Sequence, residues 1–325
     1  MKILPRVFAA ALALVLPQLA HAQANWPTKP LRVLVPYAVG GATDIVIRLM
    51  QPALNELLGQ PIIVENRPSA TGNLAVEAVA KAQPDGHTVL IGNITTNAIN
   101  PVGLAHVLNF DPTKELVGVT LLVSIPTIVV GAPNFPPNNF KELIEYALAR
   151  PGQLNYSNPL YAYSHLDTLD LSKRTGIQAV HIPSKGAGPT VTAIMQGEIH
   201  FSFLNASSVM THVRAGKMKA YATTAPQRLP ELPNLPTMGE VGFPEVGSNN
   251  WNGLFLPAKT PRAIVQRLHA VSVQALGRMD VQEVFAKASL PIVTSKSPED
   301  FQQFLEAEGR KWARIIKDNN IKMGD

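Results

Sequence analysis

The sequence predicts an α/β fold of two domains, each built on a mostly parallel sheet covered by helices, with a ligand cleft between them. The chain has 325 residues, which is long for one compact domain and comfortable for two. Short apolar runs alternate with helical patterns, as in parallel sheets that are covered on both faces. This alternation restarts near residue 116, so we expect a second sheet rather than an extension of the first.

The N-terminus predicts a secretory signal peptide over residues 1–22. Lys2 and Arg6 accompany the apolar run VFAAALALVLPQLA, and the small-x-small sequence AHA follows its last leucine. A transmembrane anchor would need about twenty uninterrupted apolar residues, whereas Pro17 and Gln18 interrupt this run. We therefore expect cleavage after Ala22, and we expect no membrane-spanning segment in the mature chain.

Composition excludes several kinds of partner and cofactor. The formal net charge is +5, and loss of Lys2 and Arg6 with the signal peptide leaves +3. Basic residues are scattered and form no run of five or more, which argues against a nucleic-acid partner. The sequence has no cysteine, which excludes disulfides and thiolate metal sites. We expect neither a metal nor a cofactor.

The first unit alternates strands and helices from residue 31 onward. Its strands are LRVLV, PIIVEN and HTVLIG. Helices are expected from Thr43 to about Leu58 and from Gly72 to Gln83. Pro52 removes one hydrogen bond of the first helix and clashes with the carbonyl of Arg48, so we expect a kink or a shorter helix.

The second unit begins with LVGVTLLVSIPTIVVGA, which predicts two extended segments. NNFKELIEYALARPG predicts a helix with Asn138 or Asn139 as its N-cap and Gly152 at its end. Further strands are LNYS, QAVHI, IHFSFL and KMKAYATT. Helices between them are expected near residues 164–174, 189–196 and 207–215.

The rest of the chain returns to the first unit. The proline-rich segment APQRLPELPNLPTM predicts an irregular crossing rather than a flexible linker, because apolar residues are spaced through it. NWNGLFLPAKTP predicts a returning strand, and helices at 261–277, 281–288 and 298–318 complete the chain. We therefore expect a signal peptide at 1–22, a first domain at 23–123 plus 250–325, and a second domain at 124–249.

The loops at the carboxyl ends of the strands are the candidate site, because ligands of open parallel sheets bind there. Gly40 and Gly41 let a ligand approach the main chain, and the next helix start offers unpaired N–H groups and a partial positive charge. Such a loop suits a carboxylate. It is equally consistent with a tight turn in which Thr43 or Asp44 caps the helix, and the carboxylate of Asp44 favours that second interpretation.

Three further loops carry polar residues. ENRPSATGNLAVE ends a strand and opens a helix, so a structural role is favoured for its Arg67. LNYSNPLYAYSHLD places Ser157, Ser164 and His165 at a strand end and a helix start. In HIPSKGAGP the lysine precedes the glycines, whereas a phosphate-binding P-loop places it after them. No nucleotide site is predicted.

The sequence contains no evident reaction centre. Ser164, His165 and Asp167 lie on one helical turn and do not count as a catalytic triad without tertiary proximity. His165 is better explained as a helix-start or partly buried polar residue, and His181 and His200 lie on apolar strands. We expect a binding protein rather than an enzyme, with a periplasmic hydrolase as the weaker alternative.

Five segments together resemble one family. VPYAVGGATD, VENRPSATGN, YSN with SHL, HIPSKGAGP and NWNGLFLPAKTP occur in this order, as in the Bug-type (TctC-like) solute receptors of tripartite tricarboxylate transport systems. The resemblance covers nearly the whole mature chain. It implies a periplasmic-binding-protein (Venus flytrap) fold that closes on a small organic acid and delivers it to a membrane permease. It also implies that main-chain amides, hydroxyls and water hold a carboxylate without an essential salt bridge.

Carried over by position, the resemblance implies ligand-binding residues on both sides of the cleft. The first side has Tyr37, Gly40, Gly41, Ala42 and Thr43. The second side has Ser157, Ser164, His165, Lys185 and Gly186. Asn93 and Asn205 are expected at the strand ends behind them.

The third motif departs from the family pattern. The family usually has glycines where this chain has Pro159, Leu160, Tyr161 and Tyr163. If the two phenol rings close over the ligand, a planar or aromatic monocarboxylate or dicarboxylate should fit better than citrate. The alternative is that one or both rings point into the core of the second domain.

The resemblance also implies the partners. We expect a monomeric receptor in the periplasm that meets a small organic acid and the membrane subunits of a tripartite transporter. A periplasmic subunit that senses the ligand and acts on a membrane kinase would have the same sequence features, so this alternative stays open.

Overall fold

The computed structural model of the chain describes residues 26–69, 71–184 and 186–324. The predicted signal peptide and its cleavage point lie outside the described residues. Within these ranges, no helix is both long and apolar enough to cross a membrane.

Ten strands are present in the described part of the chain, and they form two five-stranded sheets. They are β1 (Leu31–Val35), β2 (Ile62–Asn66), β3 (Thr88–Asn93), β4 (Leu116–Ile125), β5 (Thr127–Gly131), β6 (Leu154–Asn158), β7 (Ala179–Pro183), β8 (Phe201–Asn205), β9 (Lys219–Thr223) and β10 (Asn250–Pro257). The first sheet has the order β2-β1-β3-β10-β4, and the second has the order β7-β6-β8-β5-β9.

The helices alternate with these strands along the chain. They are α1 (Ala42–Leu58), α2 (Asn73–Ala80), a π-helix (Thr95–Ile99), α3 (Asn100–Gly103), α4 (Pro112–Glu115), α5 (Phe140–Leu148), α6 (Tyr163–Thr175), α7 (Ala187–Gln196), α8 (Ala206–Arg214), α9 (Arg262–Leu276), α10 (Met279–Lys287) and α11 (Pro298–Asp318). The predicted α/β class is confirmed.

Each sheet contains parallel and antiparallel pairs, so the sheets are mixed rather than mostly parallel. β1 runs parallel to β2 and β3, and β6 runs parallel to β7 and β8. β10 and β5 run antiparallel to their neighbours. These two strands are the ones that enter a sheet after the chain has crossed from the other sheet, and the crossing reverses their direction.

The chain crosses between the sheets twice. Pro126 separates β4 of the first sheet from β5 of the second, and residues 224–249 lead from β9 back to β10. The domain boundaries at 123/124 and 249/250 fall close to these crossings and stay a prediction.

Most of the predicted helices are present with bounds that differ by a few residues. α1 continues through Pro52 to Leu58, so the proline does not shorten this helix. Asn139 is the N-cap of α5, where its Oδ1 accepts a hydrogen bond of 2.9 Å from the Glu142 N–H. The π-helix, α3 and α4 were not predicted, because such short segments show no helical periodicity.

Alternating strand residues feed two cores on opposite faces of the first sheet. Leu31, Val33 and Val35 pack with α1, α9 and α10, whereas Leu34 packs with α2, the π-helix and α11. Leu166 on α6 joins this second core. α6, which follows a strand of the second sheet, therefore packs against the core of the first sheet.

A buried polar network links α6 to α11 through Ser248. The Ser248 hydroxyl donates a hydrogen bond of 2.9 Å to Asp167 Oδ1, and Lys311 Nζ donates one of 2.8 Å to the Ser248 oxygen. Asp167 is fully buried, and no described residue donates to its Oδ2. Burial raises the pKa of Asp167 to about 7, against the opposing effects of Lys311 and Ser248.

We expect the Asp167 carboxyl to make stability depend on pH. Its pKa is raised from 3.8 to about 7, so the folded state binds more protons than the unfolded state between these values. Its contribution is therefore fully present below about pH 4 and lost as the pH rises through 7. The amide in Asp167→Asn does not titrate. Between about pH 4 and pH 8, the free energy of unfolding of this variant should therefore fall by up to about 4 kcal/mol less than that of the wild type.

The measurement is denaturant unfolding of both proteins at pH 5 and pH 8. The difference between wild type and variant should change with pH, since all other titrating groups are shared. Equal changes in both proteins would show that Asp167 does not titrate in this range.

Candidate functional site

A cleft of about 370 Å³ lies where loops of the two domains meet. Its first side is formed by the loops after β1 and β3, and its second side by the loop between β6 and α6. Eight of the residues predicted to bind ligand line it. They are Tyr37, Gly41, Ala42, Thr43, Asn93, Tyr161, Tyr163 and Asn205.

The start of α1 presents main-chain N–H groups to this cleft. Gly41 is the N-cap and provides no side-chain hydrogen bond to the helix. The first N–H groups of a helix have no intrahelical acceptor, and Ala42 and Thr43 in this turn line the cleft. The Thr43 hydroxyl oxygen instead accepts a hydrogen bond of 2.9 Å from Asn252 Nδ2.

Asp44 stabilises the glycine turn without occupying the cleft. Its carboxylate accepts hydrogen bonds of 2.9 Å from the Gly40 N–H, from Arg48 Nε and from Asn66 Nδ2. Burial acts to raise the pKa of Asp44, but these donors outweigh it and hold the pKa below its usual value. Gly41 is the N-cap of α1, so the expectation that Thr43 or Asp44 caps this helix is wrong. Asp44 instead binds the Gly40 N–H, while Gly41 lines the cleft.

The start of α6 faces the same cleft from the second domain. Its N-cap, Ala162, also provides no side-chain hydrogen bond. The preceding Tyr161 has a left-handed backbone with φ of 60°, which costs about 1 kcal/mol or more for a residue other than glycine. The Tyr161 N–H donates a hydrogen bond of 3.1 Å to His165 Nδ1, which holds this conformation.

Each side of the cleft has a hydrogen bond between a tyrosine hydroxyl and an asparagine amide. The Tyr37 hydroxyl donates to Asn93 Oδ1 at 3.1 Å, and the Tyr163 hydroxyl donates to Asn205 Oδ1 at 2.6 Å. Asn93 and Asn205 are the last residues of β3 and β8. Because each amide oxygen is occupied, the amide nitrogen is the group left to donate to a ligand.

The described residues that line the cleft carry no negative charge near neutral pH. Burial raises the pKa of Tyr37 to about 12, and burial together with the charge of Asp167 raises the pKa of Tyr163 above its usual range. Among the described residues that line the cleft, none has a charged side chain. Its polarity comes from amides, hydroxyls and helix N-termini.

The phenol rings of Tyr161 and Tyr163 line the cleft. Both also pack against the core that includes Leu34 and Trp251 of the first domain, and not against the core of the second sheet. The alternative that these rings point into the second domain's core is therefore wrong.

Five other residues of the predicted set lie outside the cleft lining. Gly40, Ser157, Ser164, His165 and Gly186 belong to this group. The main-chain carbonyls of Ser157, Ser164 and Gly186 accept hydrogen bonds from the hydroxyls of neighbouring Ser and Thr side chains. His165 is buried behind the loop that it supports. Lys185 lies outside the described residues.

Several residues that line the cleft were not predicted. They are Thr71, Thr95, Asn100, Leu104, Pro159, Leu160, Ala162, Asn250, Met323 and Gly324. Thr95 and Asn100 belong to the short helices that lack a periodic signal, and Leu104 follows the second of these helices. Met323 and Gly324 follow the last helix, and no local pattern indicates that this segment returns to the site.

The arrangement does not assemble a catalytic triad. His165 Nδ1 accepts from the Tyr161 N–H, and the Asp167 carboxylate accepts from Ser248. In the part of the chain that the structure describes, no group of three His, Cys, Asp or Glu residues has a spacing suited to a metal ion.

Comparison with known proteins identifies similar receptors. The sequence model of the tripartite tricarboxylate transporter family receptors, TctC, matches residues 46–321. Protein BugT of Bordetella pertussis is 30% identical over 301 residues, which make up 92% of this chain and 92% of BugT.

Solved structures are similar over the same length. MatC from Rhodopseudomonas palustris with bound malate is 30% identical, with a TM-score of 0.78 over 90% of this chain and 100% of MatC. Another R. palustris protein, solved with adipate, is 30% identical, with a TM-score of 0.81 over 91% of this chain and 99% of that one. These similarities confirm the predicted two-domain fold.

We expect His165 to lower stability in mild acid. Burial, with a contribution from the stacked His181, lowers its pKa from 6.5 to about 4. The folded state then binds fewer protons than the unfolded state between these values, so stability falls as the pH falls through this window. His165→Gln keeps an acceptor for the Tyr161 N–H but does not titrate, and the fall should be smaller in this variant.

Denaturant unfolding at pH 7, 5.5 and 4.5 measures the effect. The exposed His106 provides a matched control, since His106→Gln should follow the wild type at all three values. A His165→Gln variant that loses stability in parallel with the wild type would contradict a neutral, buried His165.

Proposed function

Because this chain belongs to the tripartite tricarboxylate transporter receptor family, we propose that it is a periplasmic receptor that binds a small organic acid and delivers it to a membrane permease. The main support is that α1 and α6 both begin at one cleft, and neither has a side-chain cap. The described residues that line this cleft have no charged side chain. Each helix N-terminus attracts an anion by about 0.3–1 kcal/mol or more when partly buried. Two such ends favour a carboxylate.

Further support comes from the relatives. Malate and adipate, which the two R. palustris proteins hold, are both organic acids. The predicted signal peptide and the periplasmic family members support export of this chain to the same compartment. The amide groups of Asn93 and Asn205 add donors for the carboxylate oxygens.

The ligand class follows from the rest of the lining. Tyr161, Tyr163, Leu104 and Met323 give the cleft flat and apolar walls. Aromatic rings bind planar apolar faces more favourably than hydrated aliphatic polyacids. The proposed ligand is a planar or aromatic carboxylate rather than citrate.

We expect Gly41→Val to weaken binding by at least about tenfold, which corresponds to about 1.4 kcal/mol. The valine would project beside the N–H groups of Ala42 and Thr43. The fold should tolerate it, because Gly41 has a φ of −71° and an added Cβ would lie 3.5 Å from the Ala38 carbonyl oxygen, an ordinary contact.

Calorimetric titration beside circular dichroism tests this variant. Gly188→Val is the matched control, since Gly188 also lies in the first turn of a helix, has no atom within 4 Å of an added Cβ, and is outside the cleft lining. A folded Gly41→Val that binds as tightly as the control would move the site elsewhere.

We expect aromatic carboxylates to stabilise the protein more than citrate, malate or amino acids in a thermal-shift screen. Tyr161→Ala and Tyr163→Ala should each weaken the best aromatic ligand by roughly 1 kcal/mol or more, about five- to tenfold. Tyr146→Ala is the control, since this tyrosine packs on Phe135 away from the cleft. Citrate binding more tightly than every aromatic acid, with both cleft variants unaffected, would exclude the aromatic class.

A further inference from the structure

One end of the cleft is formed by α3 and by the segment after α11. Leu104 and Met323 line it with apolar groups and are buried against the first domain's core. Gly103 makes room for the methionine, because a Cβ on Gly103 would lie 2.1 Å from Met323 Sδ. The apolar groups of Leu104 and Met323 therefore suit an apolar part of a ligand.

Asn100 places a single oriented acceptor at this apolar end. Its Nδ2 donates hydrogen bonds of 2.8 Å to the Thr71 carbonyl and 2.9 Å to Asn73 Oδ1. Both amide hydrogens are thereby used, and a flipped amide would set its oxygen against two acceptors. Asn100 is 1% exposed and lines the cleft, and no described residue donates to its Oδ1.

An acceptor that faces a cleft loses access to water when a ligand fills the cleft, and this loss costs free energy unless the ligand supplies a donor. A carboxylate cannot do so, because it would bring oxygen lone pairs against the amide oxygen. A hydroxyl group can donate its proton to Asn100 Oδ1 while its carbon framework contacts Leu104 and Met323.

Building on the proposed function, we propose that the ligand is a hydroxylated aromatic monocarboxylate and that Asn100 determines this specificity. The carboxylate lies at the starts of α1 and α6, and the hydroxyl lies at the end formed by Asn100, Leu104 and Met323. The same geometry disfavours a second carboxylate at the far end of the ligand.

The test is calorimetric titration of the full mature chain with four probes of similar size. These are benzoate, 3-hydroxybenzoate, 4-hydroxybenzoate and terephthalate. One of the two hydroxybenzoates should bind at least about fivefold more tightly than benzoate. Terephthalate, which carries a carboxylate in place of the hydroxyl, should bind at least about tenfold more weakly than that hydroxybenzoate.

A variant that adds a donor to the lining of the cleft gives a second test. Met323→Gln keeps the side-chain length and offers an amide N–H₂, so the affinity for terephthalate relative to the preferred hydroxybenzoate should rise about fivefold. Met279→Gln is the matched control, since Met279 is 71% exposed on α10. Circular dichroism establishes that both variants fold, and an unchanged ratio in folded Met323→Gln would overturn the proposal.

The outcomes separate this proposal from the proposed function. Tight binding of aliphatic acids without binding of any benzoate overturns the hydroxy-aromatic class and leaves the organic-acid receptor standing. Benzoate or terephthalate as the tightest probe overturns the role of Asn100 alone. Failure of every organic acid to bind overturns both.

Discussion

The free N–H groups at the starts of α1 and α6 are the constraint on which the rest of the site depends. A helix cannot satisfy its own first N–H groups, and the N-caps Gly41 and Ala162 supply no side-chain acceptor. Burying such donors without partners is costly, so these two ends must face water or an anion. The parallel strands β1 and β6 direct both helices to begin at the same cleft.

The surrounding residues keep these helix ends available. Asp44 could have neutralised the start of α1, but Arg48 and Asn66 engage its carboxylate. On the second side, His165 binds the Tyr161 N–H and so fixes the loop before α6. A neutral imidazole is needed for this contact, and burial keeps it neutral. The two sides thus use different residues to present similar donors.

The regular part of the fold could be predicted from sequence because its signals are local. The helix at 298–318 was predicted to the residue, since Ser297 and Pro298 mark its start and its apolar face is periodic. Strand direction is not local, because β5 and β10 run antiparallel only through the crossings that precede them. The family resemblance, applied to the loops at strand ends, indicated eight cleft residues, whereas Met323 reaches the cleft through tertiary packing. Sequence position also could not show that His165 lies behind the loop and Tyr161 in front of it.

The described residues that line the cleft have no charged side chain, and this bears on the proposed role in transport. A buried ion pair would hold a carboxylate strongly and would leave an unpaired charge when the ligand departed. Here the donors are neutral amides and helix ends, divided between the two domains. In the proposed receptor, the two domains close when a ligand is present, because a ligand stabilises the state that it contacts better. In the closed state the ligand also binds the donors of the second domain. When the domains open, the donors of the second domain move away from the ligand. The ligand can then pass to a permease without the separation of opposite charges.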